Sequence, residues 1–114
     1  MENKTIFFIA TRWFGVLKNT ELLRKIIIKN NYDIHVLGRK DNLYDKYKTE
    51  NTIFHELRIK SSYFSFLSDF LDIAKIVYLI LKFKPKVIHS FNPKPIMITY
   101  FAITFFKKIK FFSS

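Results

Sequence analysis

At 114 residues the chain is one domain at most, and its 49% hydrophobic, 18% aromatic composition excludes general disorder. It has no cysteine, which removes disulfides, thiolate metal sites and a cysteine nucleophile, and its two glycines, Gly15 and Gly38, form no phosphate cradle. The formal charge of +11 suits an anionic membrane surface, a phosphorylated substrate or a nucleic acid, or reflects a Lys-, Asn-, Ile- and Phe-rich composition throughout.

Lys4 to Ala10 is a short apolar run of Ile and Phe, expected as a buried strand. Glu2 and Lys4 flank it without the h-region or cleavage site of a signal peptide. Thr11 to Gly15 then reads as a loop. Leu22, Leu23, Ile26 and Ile27 recur at helical spacing, with Asn19 or Thr20 as cap, Glu21 in the first turn and Asn30-Asn31 as the stop.

Tyr32 to Gly38 is expected as a second strand, Arg39 to Asn51 as a loop, and Thr52 to Leu57 as a third strand. The clearest helix follows. Its apolar face is Phe66, Leu67, Phe70, Leu71, Ala74, Val77, Tyr78 and Leu81; Ser68, Asp69, Asp72, Lys75 and Lys82 make the polar face. Pro85 closes it. Lys86 to Phe91 is a fourth strand, and Pro95 opens a helix expected to reach Lys107 or Lys108. Its apolar run, Ile96 to Phe106, is too short to span a bilayer. Ile109 to Phe112 looks like the start of a fifth strand. Strands alternating with helices in this order imply an α/β domain, a Rossmann-like parallel sheet with helices on both faces.

In such sheets ligands bind beyond the C-terminal strand ends. The stretch Lys86-Val87-Ile88-His89-Ser90-Phe91-Asn92-Pro93-Lys94-Pro95 ends there, and so does Thr11 to Gly15. Trp13 and Phe14, if exposed, stack on a sugar or an isoprenoid, and Arg12 reaches a phosphate; alternatively the two rings cap the core beneath the first helix. Lys94 stands at a helix N-terminus that favours an anion. His35, His55 and His89 fall on three strands without HxH or HExxH spacing, and are expected as packed strand residues, with His89 also near a strand end. Asp69 and Asp72 are expected in solvent on a helix face, and there is no DxD triplet. No catalytic residue, metal site or cofactor emerges. Lys107, Lys108 and Lys110 interleave with Phe105, Phe106, Ile109, Phe111 and Phe112, either as an anionic-leaflet contact or as a cationic helix end followed by a buried strand. The lysines are scattered and no nucleic-acid-binding pattern appears, so nucleic acid is an unlikely partner.

Three segments carry a family resemblance: Ile6 to Phe14, Tyr32-Asp33-Ile34-His35-Val36-Leu37, and Lys84-Pro85-Lys86-Val87-Ile88-His89-Ser90-Phe91-Asn92-Pro93-Lys94-Pro95. The chain resembles bacterial glycosyltransferases of the GT-B fold, family 4, over their N-terminal domain. It looks like the subgroup that builds capsule, O-antigen or other glycans on a polyprenyl carrier. The resemblance implies the N-terminal half of a GT-B fold, incomplete near its fifth strand, with residues 1–114 as a single acceptor-side domain and no donor domain. It implies a nucleotide-sugar donor as substrate of the complete enzyme, held mainly by a C-terminal domain, and metal-independent transfer with retention of configuration. It places acceptor-binding residues at Arg12, Trp13, Phe14, His89, Ser90, Asn92 and Lys94, within the loops Thr11 to Gly15, Arg58 to Ser62 and Ser90 to Lys94. Implied partners are a C-terminal donor-domain polypeptide, a lipid-linked or glycan acceptor, and an anionic membrane surface. The expected location is cytoplasmic, peripheral to the inner face of the membrane. Half of a cleft cannot hold donor and acceptor in attack geometry, so the chain alone is expected to be inactive. The alternative is a non-catalytic module that binds a membrane surface or a lipid-linked glycan.

Overall fold

A computed structural model describes residues 5–40, 52–59, 66–104, 106 and 109–113. The elements run β1 (Thr5–Arg12), α1 (Trp13–Asn19), α2 (Glu21–Lys29), β2 (Asp33–Arg39), β3 (Thr52–Glu56), α3 (Phe66–Phe83), β4 (Val87–Ser90), α4 (Pro93–Ile103) and β5 (Lys110–Ser113). All five strands are parallel, in the order β3-β2-β1-β4-β5. The expected α/β Rossmann-like sheet is therefore present. Parts of the expected loops Arg39 to Asn51 and Arg58 to Ser62 lie outside the described residues, as do Lys4, Phe105, Lys107 and Lys108.

β1 is the central strand. Ile6 pairs with Ile34 and Val87, and Phe8 with Val36 and His89. Alternation along the strand sends its side chains to two cores. Phe7 and Ile9 join Leu37, Ile76, Leu79, Ile80, Ile88 and Ile98 under α3 and α4. Phe8 and Ala10 join Trp13, Val16, Leu17, Ile34 and Val36 under α1, with Ile27 and Ile28 of α2 at its margin. Both faces of β1 are buried, which is why its sequence is a continuous apolar run rather than an alternating one.

Several boundaries differ from expectation. Thr11 to Gly15 is not a loop: β1 continues to Arg12 and α1 begins at once with Trp13. α4 ends at Ile103, short of Lys107. α2 and α3 stop where Asn31 and Lys84 turn to positive φ, 67° and 48°, the left-handed step that releases a chain from a helix.

The orientation of two helices is the larger correction. On α2, Leu22 and Ile26 are 74% and 54% exposed while Arg24 is fully buried. On α3, Leu67, Phe70, Leu71, Tyr78 and Leu81 face outward, whereas Ser68 and Asp72 are buried. The core-facing side of α3 is Ile76, Leu79 and Ile80, set between the two stripes read from the sequence. Asp72 is thus not a solvated acid. Its Oδ1 accepts the Arg58 backbone N–H at 2.8 Å, pinning the segment that follows β3.

Candidate functional site

The chain steps outward from β1 to β2 to β3, then returns to place β4 on the other side of β1. This makes the β1–β4 boundary the topological switch point, where loops diverge and leave a crevice at the C-terminal strand ends. Local backbone chemistry shapes that crevice. The Phe91 N–H donates to the Ile9 carbonyl at 2.8 Å, extending the β1–β4 pairing by one residue. Asn92 then leaves the strand with φ 74° and ψ 148°, a region that costs a non-glycine residue on the order of 1–3 kcal/mol. Its side chain does not cap α4. Instead its Oδ1 accepts the Thr11 N–H at 3.3 Å, bridging the crevice from β4 to β1.

The rim on the β1 side is cationic. Arg12 is exposed and stands in register with half-buried Arg39 at the end of β2. Between them the strands approach closely. A Cβ on Gly38 would lie 2.5 Å from the Ala10 carbonyl oxygen, so only glycine fits there without moving backbone. Below the crevice on the α1 face is an aromatic floor. His89 stacks on Phe91 with centroids 4.3 Å apart, Phe8 lies 6.0 and 6.2 Å from these rings, and Phe112 of β5 meets His89 edge-on at 6.3 Å. Phe112 is more than half exposed and His89 and Phe91 are half-buried, so the floor reaches solvent. Burial lowers the His89 pKa, which favours a neutral ring at neutral pH.

The seven residues expected on the acceptor side therefore separate. Asn92 meets Thr11 at the crevice, next to Arg12 at the end of β1, and His89 lies on the adjoining strand β4. Phe14 is half-buried beside Lys18, whose ammonium sits 5.9 Å from its ring centroid. Trp13 is 6% exposed rather than presented to ligand: its indole N–H donates to the His55 carbonyl at 3.0 Å and its ring packs on Phe54 at 5.1 Å. It caps the core. Ser90 points to the opposite face and is buried, its hydroxyl 2.8 Å from that of Thr99. Lys94 turns to α3 and pairs with Asp69 at 3.1 Å, close in distance although not aligned as a directed hydrogen bond. Pro93 and Pro95 also remove two N–H groups from the first turn of α4, so its N-terminus is a poor anion cradle.

Sequence reasoning missed Gly38 and Arg39. A glycine ending the Ile34-His35-Val36-Leu37 strand, followed by an arginine, was the available signal. It also missed the contact between two histidines: His35 Nδ1 and His55 Nε2 are 2.7 Å apart, on the α3 side of the sheet. Burial lowers both pKa values. That of His55 falls to about 4, through burial first and then repulsion from His35, Lys75 and Lys82; Asp33 partly offsets the shift at His35. Among the described residues no three His, Cys, Asp or Glu side chains gather as a metal site. Nor, among them, is any helix long and apolar enough to cross a membrane.

The model of the glycosyl transferase 4-like family matches residues 4–111. The chain belongs to the glycosyl transferase 4-like family. A crystal structure of a glycosyltransferase from Rickettsia africae superposes with a TM-score of 0.74 at 17% identity, covering 98% of this chain and 30% of that one. The C-terminal domain of a hydrogenase from Pyrococcus furiosus superposes with a TM-score of 0.65 at 12% identity, covering 99% of this chain and 92% of that domain. At such identities the superpositions show a shared fold and nothing more, and the two differently titled neighbours illustrate why fold alone does not carry function. The chain spans 30% of the length of the rickettsial glycosyltransferase. None of the curated proteins matches the sequence significantly.

Proposed function

We propose that this chain is the acceptor-side domain of a glycosyltransferase that moves a sugar from a nucleotide-sugar donor to a polyprenyl-linked or polysaccharide acceptor in surface glycan synthesis. Family membership across residues 4–111 supports the reaction class. The single observation that carries the acceptor assignment is the switch-point crevice, where a cationic rim stands over an aromatic floor. Arg12 and Arg39 offer guanidinium donors suited to the phosphate of a lipid carrier. Phe91, His89 and Phe112 offer ring faces to a sugar or an isoprenoid unit. Asn92 fixes the gap between β1 and β4, and its strained backbone is kept where a ligand would sit.

In this reading the domain orients the acceptor hydroxyl and excludes water beneath it. The nucleotide sugar is held by a facing donor domain, on the same or a second polypeptide, and transfer needs both. The 114-residue chain by itself is then expected to bind acceptor and to transfer nothing. Acceptor binding should weaken about tenfold in Arg12→Ala, which removes a charged hydrogen bond. Calorimetry with a short-chain prenyl-diphosphate sugar reads this directly. Equal affinity of Arg12→Ala and parent, or sugar transfer by the isolated chain, would contradict the proposal.

One observation favours a second reading, a non-catalytic module seated on an anionic membrane. α2 turns Leu22, Leu23 and Ile26 outward, with Lys18, Lys25 and Lys29 exposed around them. An apolar stripe edged by lysines is the pattern of a helix lying in a bilayer interface. The two readings are compatible, because α2 could hold an acceptor-binding domain at the membrane that carries its lipid-linked substrate. Flotation with anionic vesicles, lost in Leu22→Glu/Ile26→Glu, tests the membrane contact by itself.

A further inference from the structure

We infer that the outer face of α3 is a self-complementary seam through which two copies of this chain pair, antiparallel, across a two-fold axis near Ala74. This inference is independent of the transferase reading. It starts from a stripe on the outside of the helix: Leu67, Phe70, Leu71, Ala74, Tyr78 and Leu81. Leu67, Phe70, Tyr78 and Leu81 are 75%, 67%, 58% and 60% exposed. Apolar stripes of this extent are uncommon on the surface of a lone domain.

The spacing says what covers it. Counted outward from Ala74, Leu67 and Leu81 lie seven residues away on either side, Phe70 and Tyr78 four, and Leu71 and Val77 three. A two-fold contact requires that residue i meet j while j meets i. Antiparallel pairing about Ala74 satisfies this at the exposed positions: Leu67 meets Leu81 and Phe70 meets Tyr78, each twice, with Leu71 over the half-buried Val77 that also packs on the core. The smallest side chain falls at the crossing point, where it permits close approach of the helices. The separations of four and seven are also those that keep side chains on one seam of paired helices. The stripe is about 21 Å long at 1.5 Å per residue. α4, packed alongside, adds exposed Met97, Tyr100 and Phe101. Together these side chains offer on the order of 800 Å² per copy, the size of a standard stable interface.

Charge separates this face from a membrane contact. No member of the stripe is charged. Lys75 turns back onto the Glu56 carbonyl at 2.5 Å, and Lys82 lies over the Tyr78 and Phe83 rings. The acids of α3, Asp69 and Asp72, point inward. Exposed Lys75 and Lys82 flank the stripe, but both are engaged within their own chain, so its apolar members are left to meet their own kind. The +11 charge of each copy opposes pairing at long range, and salt screens that repulsion over about 8 Å at physiological strength.

Sedimentation velocity of the full 114-residue chain at low, physiological and high salt tests the inference. The expected result is a dimer that strengthens with salt. Phe70→Glu or Tyr78→Lys alone should raise the dissociation constant on the order of 30-fold or more, as loss of a central aromatic anchor does. The double variant Phe70→Glu/Tyr78→Lys sets opposite charges across the axis twice and should restore dimer, which neither misfolding nor a different register would produce. Leu22→Glu on α2 should leave the dimer unchanged. A monomer at every salt and concentration, or a dimer indifferent to Phe70→Glu, overturns the inference. Vesicle binding by a monomeric chain that Phe70→Glu abolishes also overturns it, by assigning the face to lipid.

Discussion

α2 and α3 lie over opposite faces of the same sheet, and each buries a charge while turning leucines outward. They differ in how the buried charge is held. Arg24 of α2 donates to the Leu17 carbonyl at 2.7 Å and to the Thr20 hydroxyl at 3.1 Å, while that hydroxyl donates to the Val16 carbonyl at 2.6 Å. The guanidinium thereby satisfies the Leu17 carbonyl near the end of α1 and, through the Thr20 hydroxyl, splices α1 to α2. Asp72 of α3 has one oxygen on the Arg58 N–H and the other, Oδ2, buried without a hydrogen-bond partner among the described residues. Burial raises its pKa, with the Arg58 hydrogen bond opposing and the charge of Asp69 adding to the rise. The contrast teaches that an inward charge is structural when its hydrogen-bonding capacity is filled, and costs stability when it is not.

The largest expected effect follows from the better-held charge. Arg24→Met keeps the volume but leaves the Leu17 carbonyl buried and unpaired, and should cost about 3 kcal/mol in denaturant unfolding. A loss below 1 kcal/mol would mean that the splice between α1 and α2 does not depend on Arg24.

Next in size is a pH effect beneath α3. His35 and His55 are held neutral with pKa values below the ordinary 6.5, that of His55 at about 4. The unfolded chain therefore binds more protons between these values, so stability is full above about 6.5 and falls as pH drops toward 4. For His55, which is partly exposed, the loss should be on the order of 2 kcal/mol. His55→Gln should flatten the profile in that window. An unchanged slope in His55→Gln would remove the histidine pair as its cause.

The smallest effect belongs to Asp72. Its folded pKa is raised, so its contribution is most favourable below the ordinary carboxylate value of 3.8 and is lost as pH rises. Asp72→Asn keeps the acceptor for Arg58 and removes the charge. It should leave stability at neutral pH equal or higher by up to about 1 kcal/mol. A clear destabilisation would show that the carboxylate charge is needed where it stands, and the contrast with Arg24 would fail.

Much of the sheet was legible because a strand buried on both faces leaves a continuous apolar run. Ile6 to Ala10, Ile34 to Leu37 and Val87 to Ile88 could be read in this way, and the alternation with helices gave the parallel arrangement. The faces of α2 and α3 were not legible. Periodicity reports where the apolar residues of a helix lie, not whether the core lies there too. On α3 the core takes Ile76, Leu79 and Ile80, leaving Leu67, Phe70 and Leu81 outside. The helix that begins at Trp13 was missed for a related reason, and which of the two roles open to its ring applies was not decided. A bulky, cationic Thr-Arg-Trp-Phe run after a strand reads as a loop, and only the tertiary neighbours Phe54 and His55 show that the indole is inside. Of the residues expected on the acceptor side, the position of Arg12, His89 and Asn92 near the C-terminal ends of β1 and β4 was legible from topology. The contacts of the others were not legible: strand alternation turns Ser90 away from His89, and Asp69, distant in sequence, comes within reach of Lys94.

The central functional claim is that acceptor binds where β1 and β4 part. Backbone amide NMR shifts of the 114-residue chain, titrated with a short-chain prenyl-diphosphate sugar, test it most directly. The account predicts shifts concentrated at Thr11, Arg12, Arg39, Phe91 and Asn92, and diminished in Arg12→Ala. Shifts confined to α2 and its lysines, or no saturable shifts at all, would contradict it.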